Sequence, residues 1–281
     1  MQWIEQNNGY RIPQFGLGVF MVRNHETCKN SVLTALSNGY RHIDTAQLYK
    51  NEKAVGEAIK ESGIPREEIY LTTKIWITNY GYSKAKKAIQ KSIETLQVEY
   101  IDLLLLHQQF DDYIGAWKAL EEAVDAGIVR SIGISNFNLK RTKEILDVAR
   151  IKPVINQIEV HPYYQQNEMK KFLKENNILT EVWYPLGHGD KKLLSEPIFV
   201  SLAEKYQKNV AQIILRWHIQ KDHIVFPKST NKEHIISNID IFDFSLNEKE
   251  MMHIDSMNKN KSYFNMPEWL EKFMYKFADK F

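Results

Sequence analysis

Ile101-Asp102-Leu103-Leu104-Leu105-Leu106-His107 is an apolar run that stops at a histidine. A strand wetted on one face alternates apolar and polar residues, so four consecutive leucines belong to a strand covered on both faces, as in a parallel sheet. The same grammar recurs along the chain. Arg41-His42-Ile43 stops at Asp44, Ile69 to Thr73 at Lys74, and Ile132-Gly133-Ile134 at Ser135. Val154-Ile155-Asn156 stops at Gln157, Leu179 to Val182 at Trp183, and Ile224 to Pro227 at Lys228. A polar residue can follow a buried strand only where the strand leaves the core, so these stops outline one rim.

Between the runs lie segments with apolar residues at helical steps, such as Cys28, Val32, Leu33, Leu36 and Ala85, Ala88, Ile89, Ile93, Leu96. From Phe15 onward the pattern gives eight strand-and-helix units, with strands near 15–19, 40–43, 69–74, 101–106, 129–134, 154–158, 179–183 and 223–226. Gly39, Gly63 and Gly127 stand where helices must end and turn back. Gly16-Leu17-Gly18 lacks the third glycine of a dinucleotide fingerprint and reads as a tight first strand whose backbone approaches a neighbour closely. The α/β alternation therefore predicts a (β/α)8 TIM barrel rather than a doubly wound sheet.

Ahead of the barrel, Gln2–Gln6 and Tyr10–Ile12 flank Asn7-Asn8-Gly9, the composition of a hairpin turn, and predict a β-hairpin plug at one end. Behind it, Leu270, Phe273, Met274, Phe277 and Phe281 fall opposite Lys272, Lys276 and Lys280, predicting a C-terminal helical tail docked through its apolar face. The expected organisation is one domain over residues 1–281, because no linker or low-complexity block interrupts the alternation.

The 37 basic and 35 acidic residues leave a net charge of +2, which gives no reason to expect nucleic acid or a membrane as partner. Lys84, Lys86, Lys87 and Lys91 read as the solvated face of one helix. A lone Cys28 and an N-terminus without an apolar signal core lead to a cytoplasmic expectation. A monomer is expected, with a dimer through the C-terminal helix as the alternative. His25, His42, His161, His188, His218, His223 and His253 show neither H-x-H nor H-E-x-x-H spacing, so no metal is expected.

Asp44, Tyr49, Lys74 and His107 follow consecutive strands and converge on one mouth. A tyrosine phenol, with an ordinary pKa near ~10, is a poor proton donor at neutrality unless a neighbouring ammonium lowers that value. Lys74 can supply the charge, Asp44 can orient Lys74, and His107 can hydrogen-bond a reacting oxygen. Such a set can protonate an alkoxide forming from a carbonyl.

These residues carry a resemblance. GYRHIDTAQLYKNE (39–52), TTKIW (72–76), VEYIDLLLLHQ (98–108), GIVRSIGISNF (127–137), NQIEVHP (156–162) and FPKST (226–230) are similar, in order, to six segments of the aldo-keto reductases, as in a small bacterial-type member of that family. The resemblance implies reduction of aldehydes or ketones with NADPH preferred over NADH. Tyr49 would be the general acid, assisted by Asp44, Lys74 and His107. Nicotinamide would stack on Trp183 with its carboxamide held by Ser135, Asn136 and Gln157, near Gly18, Val19, Phe20 and Asp44. Tyr184, Pro185, Leu186, Gly187 and Gly189 would wrap the pyrophosphate, while Lys228, Ser229, Thr230, His234 and Asn238 would hold the adenosine end. Phe20, Met21, Tyr49, Trp76, His107, Gln108 and Tyr113 would line the pocket for a small-molecule carbonyl substrate.

Three positions depart from the pattern: Tyr184 replaces a common serine, His234 a common arginine that contacts the 2′-phosphate, and Gln109 stands where a proline often follows. The alternatives are a slow, redox-sensing cofactor-binding subunit and a metal-dependent barrel hydrolase.

Overall fold

The computed structural model describes residues 2–278. Two short strands, β1 (Trp3–Glu5) and β2 (Arg11–Pro13), pair antiparallel with Ile4 opposite Ile12. Eight parallel strands follow: β3 (Leu17–Gly18), β4 (His42–Asp44), β5 (Tyr70–Ile75), β6 (Ile101–Leu106), β7 (Val129–Ser135), β8 (Ile155–Glu159), β9 (Leu179–Trp183) and β10 (Ile224–Val225). Each pairs with the next, and parallel bridges Phe15 to Val225 and Gly18 to Lys228 join the last strand to the first, closing the barrel. Leu103 to Leu106 are completely buried in β6, as a strand covered on both faces requires.

The helices α1 (His25–Ser37), α2 (Glu52–Glu61), α3 (Tyr82–Leu96), α4 (Tyr113–Asp125), α5 (Leu139–Val148) and α6 (Asn167–Glu175) each cover one crossover. The connection from β9 to β10 carries three helices instead of one: α7 (Lys191–Leu194), α8 (Pro197–Tyr206) and α9 (Val210–Gln220). After β10 come α10 (Lys232–Ile239), α11 (Glu248–Asp255) and α12 (Glu268–Phe277). On α3, Ala85, Ala88, Ile89 and Leu96 are buried while Lys84, Lys86, Lys87 and Lys91 are exposed. Gly39 and Gly127 adopt φ of 89° and 73° just past α1 and α4, where a Cβ would be strained.

The two glycines of the first strand serve barrel closure. A Cβ on Gly18 would stand 2.7 Å from the Phe226 carbonyl oxygen, and one on Gly16 would stand 2.8 Å from His42. The hairpin does plug the N-terminal end: Gln6 bonds the Tyr70 hydroxyl and accepts from Ser131 Oγ at 2.6 Å, while Asn7 Nδ2 donates to the Pro153 carbonyl at 2.9 Å. Ile12 is buried there with Leu103, Leu105, Ile155 and Ile224.

The tail docks, but through the other side of its helix. Tyr275 packs on Trp76 and Phe110, its carbonyl accepts from Trp76 Nε1 at 3.2 Å, and Lys272 and Lys276 each reach Asp111 at 3.5 Å. Phe273 and Met274 consequently face solvent. The expected apolar seam loses to an anchor made of one aromatic ring and two ion pairs; Lys280 and Phe281 lie outside the described residues. Among those residues no helix is long and apolar enough to cross a membrane.

Candidate active site at the carboxyl end of the barrel

Asp44 ends β4, Lys74 stands one residue from the end of β5, and His107 immediately follows β6. Tyr49 lies in the helical turn of residues 47–49, where Tyr49 N–H bonds the Ala46 carbonyl at 3.0 Å. Lys74 Nζ donates to both Asp44 oxygens at 2.6 and 2.8 Å, to the Thr45 carbonyl at 2.9 Å and to the Tyr49 hydroxyl at 3.3 Å. The Tyr49 and His107 rings meet edge to face with centroids 5.6 Å apart. His107 Nδ1 is buried without a hydrogen-bond partner among the described residues. The sequence-derived constellation is therefore one contiguous cluster.

Its electrostatics differ from the simple expectation. Burial, and then the Asp44 carboxylate, hold the Tyr49 phenol well above its ordinary value of 10. Lys74 stands within reach of the phenol, but burial of the ring decides the direction. In the free protein Tyr49 thus keeps its proton. Burial, reinforced by Lys74, holds His107 well below 6.5, so it is a neutral imidazole. Asp44 is raised by burial and opposed by Lys74 and by the Gln157 hydrogen bond.

On the opposite arc, Ser135 ends β7 and Trp183 ends β9. Asn136, at φ 61°, links the two arcs: its Nδ2 donates to the His107 carbonyl and to Ser135 Oγ, both at 3.1 Å, and its Oδ1 accepts from Trp183 Nε1 at 2.8 Å. The partly buried indole is thereby fixed in place. Gln157 is not at a strand end; β8 runs on to Glu159, and Gln157 lies buried in the barrel interior. Its Nε2 donates to Asp44 Oδ2 and to Glu181 Oε2, both at 2.9 Å.

The loop after β9 is compact. Gly187 N–H bonds the Tyr184 carbonyl at 2.8 Å, Pro185 accepts from the buried His218 at 3.1 Å, and Gly189 N–H bonds Leu186 at 3.2 Å. Tyr184 adopts φ 54° and lays its ring on His188, with centroids 4.5 Å apart. Val19 N–H bonds the Asp44 carbonyl at 3.1 Å, which ties the Gly18-Val19-Phe20 backbone to the tetrad.

The last segment is the most open. Lys228, Thr230 and His234 are exposed, Ser229 is partly buried, and Asn238 is buried on α10. The free N–H groups expected at the start of α10 are in part taken: Asn231 caps the helix, accepting from Glu233 N–H at 2.8 Å and His234 N–H at 3.2 Å. Lys228 has no ion-pair partner among the described residues.

Of the expected pocket residues, Trp76 packs edge on against His107 at 5.0 Å and Phe20 against Tyr49 at 5.1 Å. Gln108 is buried and anchored by its backbone to the Tyr80 hydroxyl at 2.8 and 3.0 Å, and Met21 is largely exposed. The Tyr113 ring packs on Phe137 and its hydroxyl meets Glu144 and Arg141, which joins α4 to α5.

Three residues near the site had no clear sequence signal. Phe264 packs on both Trp183 and Tyr184, and the Ser262-Tyr263 backbone and hydroxyl are tied to Glu159 across about a hundred residues. Glu181 had a signal that was available: a carboxylate inside an otherwise buried run. His218 and His223 meet through Nδ1 atoms 3.0 Å apart, yet among the described residues no group of three His, Cys, Asp or Glu side chains could hold a metal.

Comparison with known proteins identifies the constellation's setting. The Aldo/keto reductase family model matches residues 15–259. The chain belongs to the aldo/keto reductase family. It is 44% identical over 259 residues to glyoxal reductase of Bacillus subtilis (strain 168), covering 92% of this chain and 93% of that one. It is 39% identical over 261 residues to methylglyoxal reductase DkgA of Escherichia coli (strain K12), covering 92% and 94%. The crystal structure of a Bombyx mori aldo-keto reductase in complex with NADP superposes with a TM-score of 0.91 at 34% identity, covering 96% and 97%. Aldo-keto reductases are oxidoreductases that use nicotinamide cofactors, and this chain carries their fold across its length.

Proposed function

We propose that this protein reduces small aldehydes and dicarbonyls to alcohols with NADPH, Tyr49 delivering the proton to the carbonyl oxygen. The observation that carries the reading is the buried chain Asp44–Lys74–Tyr49, with Lys74 bonded to both partners and His107 beside the phenol.

The residues fit a nicotinamide dinucleotide. The Trp183 ring is pinned by Asn136 and only partly buried, which suits stacking of a flat ring, and the exposed Lys228 suits a phosphate. Ser135, Asn136 and Gln157 would hold the carboxamide, and the Tyr184–Gly189 loop the pyrophosphate. When bound, the reduced cofactor supplies the hydride that attacks the carbonyl carbon.

This chain's own groups do the rest. Neutral His107 directs the substrate oxygen toward Tyr49 by donating a hydrogen bond. As negative charge develops on that oxygen, Tyr49 gives up its proton, and Lys74, held by Asp44, stabilises the phenolate left behind. Trp76, Phe20 and the docked Tyr275 keep the surroundings apolar, which strengthens both interactions. The wall they form is close and aromatic, and the substrates for which two relatives are named, glyoxal and methylglyoxal, rank small dicarbonyls ahead of bulkier ketones.

The test is a turnover screen of glyoxal, methylglyoxal, simple aldehydes, quinones and keto sugars with NADPH and NADH. Fastest consumption of NADPH with the dicarbonyls is expected. No consumption of either cofactor with any carbonyl would overturn the reading and favour a binding subunit.

A further inference from the structure

Beneath the tetrad lies an acid that the reaction as described does not use. Glu181 sits inside β9 with no exposed surface, and its Oε2 accepts from the same Gln157 nitrogen that donates to Asp44. The path continues without a break: Gln157 to Asp44 at 2.9 Å, Asp44 to Lys74 at 2.6 Å, Lys74 to Tyr49 at 3.3 Å. Glu181 Oε1 is buried without a hydrogen-bond partner among the described residues. Its neighbour His42 stands 3.6 Å away, with a side chain as fully buried.

We propose that Glu181 is a positioning residue for proton transfer: protonated, it steadies the Gln157 amide against Asp44, and once ionised it disturbs the charge balance on which Tyr49 depends. The proposal rests on the reading of Tyr49 as general acid.

The groups facing Glu181 come from every element around it. β4 contributes His42 and Asp44, β5 Tyr70 and Lys74, β8 Gln157, and the turn after β4 contributes Tyr49. Burial holds His42 down at about 3 and raises Tyr70, so both are neutral. Burial first, and Asp44 next, push Glu181 up to about 8, against the pull of Gln157 and Lys74. Below that value the layer holds one carboxylate and one ammonium. Above it two carboxylates share one ammonium, and Glu181 adds to the field that makes Tyr49 hold its proton more tightly. Proton donation to substrate should therefore slow as pH rises through this range.

The experiment is kcat for methylglyoxal at saturating NADPH from about pH 6 to about pH 9.5, in wild type and in Glu181→Gln. Glutamine keeps a carbonyl acceptor for Gln157 but cannot ionise. Wild type should fall by about tenfold per unit above an inflection near 8, the slope of one ionisation. Glu181→Gln should match wild type within about threefold at low pH and stay flat through that range. Difference infrared spectroscopy gives a readout independent of turnover: a protonated-carboxyl band that bleaches near the same pH and is missing in the variant. Should Glu181→Gln fail to fold, Glu181→Met, which cannot ionise either, should lose the inflection in the same way.

An unchanged inflection in a folded variant, or none in wild type, overturns this proposal and leaves carbonyl reduction standing. Absence of carbonyl reduction at any pH defeats the parent reading and this one with it.

Discussion

On the Tyr49 side of the mouth the chemical groups are buried and, His107 Nδ1 excepted, already engaged, whereas on the Lys228 side Lys228, Thr230 and His234 are exposed. Asp44, Lys74, His107 and Gln157 are held by strands or strand ends; Lys228, Thr230 and His234 lie on a loop and the first turn of a helix. The contrast suits the tasks proposed for the two sides. A proton must move between atoms placed to within a fraction of an ångström, which calls for rigid strands and fixed dipoles. A phosphate needs only charge and reach, which exposed side chains supply.

The buried side is most vulnerable at Lys74. Lys74→Met should lower kcat by about 100-fold to 10,000-fold, as expected when proton transfer loses its support. It should also destabilise the fold by about 3–5 kcal/mol, because Asp44 is left buried and unpaired. Steady-state kinetics and denaturant unfolding read the two effects separately.

Acid should expose the buried side next. His42 and His218 are each held down to about 3 by burial, and His107 and His223 are lowered as well. Groups whose folded value is depressed below 6.5 contribute stability that is fully present above that pH and is lost as pH falls toward the folded values. The melting temperature should therefore fall steadily from about pH 6.5 downward. A flat profile down to pH 4.5 would mean that the imidazoles are not buried neutral.

The exposed side should respond more gently. Lys228→Ala should weaken NADPH by about tenfold to a hundredfold, the worth of one charge-assisted phosphate contact, and leave NADH nearly unchanged. Fluorescence titration with both cofactors checks it; equal losses would place Lys228 elsewhere than at the 2′-phosphate. The smallest effect belongs to His234→Arg, expected to tighten NADPH by about twofold to fivefold, since the pair formed would be solvent-exposed.

The same contrast explains what the sequence made legible. Leu103 to Leu106 could be read as a strand because a parallel strand has no wet face, and His107 stood out because it ended that run. Asp44 and Lys74 announced themselves likewise. Gln157 did not behave as a stop, because the barrel interior accepts a polar side chain where partners from β4 and β9 meet it. Glu181 sits inside a buried run on the same terms, bonded to Gln157. The Asn231 cap, the Phe264 contact with Trp183, and the packing of Tyr113 on Phe137 depend on tertiary neighbours that no local spacing encodes. In α12 the apolar period was real, but its ring and ion-pair contacts put the opposite side against the barrel.

Proton donation by Tyr49 is read out by Tyr49→Phe, because only the hydroxyl is removed from the packed ring. Turnover of methylglyoxal should drop by about 100-fold to 10,000-fold while NADPH affinity stays within about twofold of wild type. Turnover that survives unchanged in a folded, cofactor-binding variant would contradict the account.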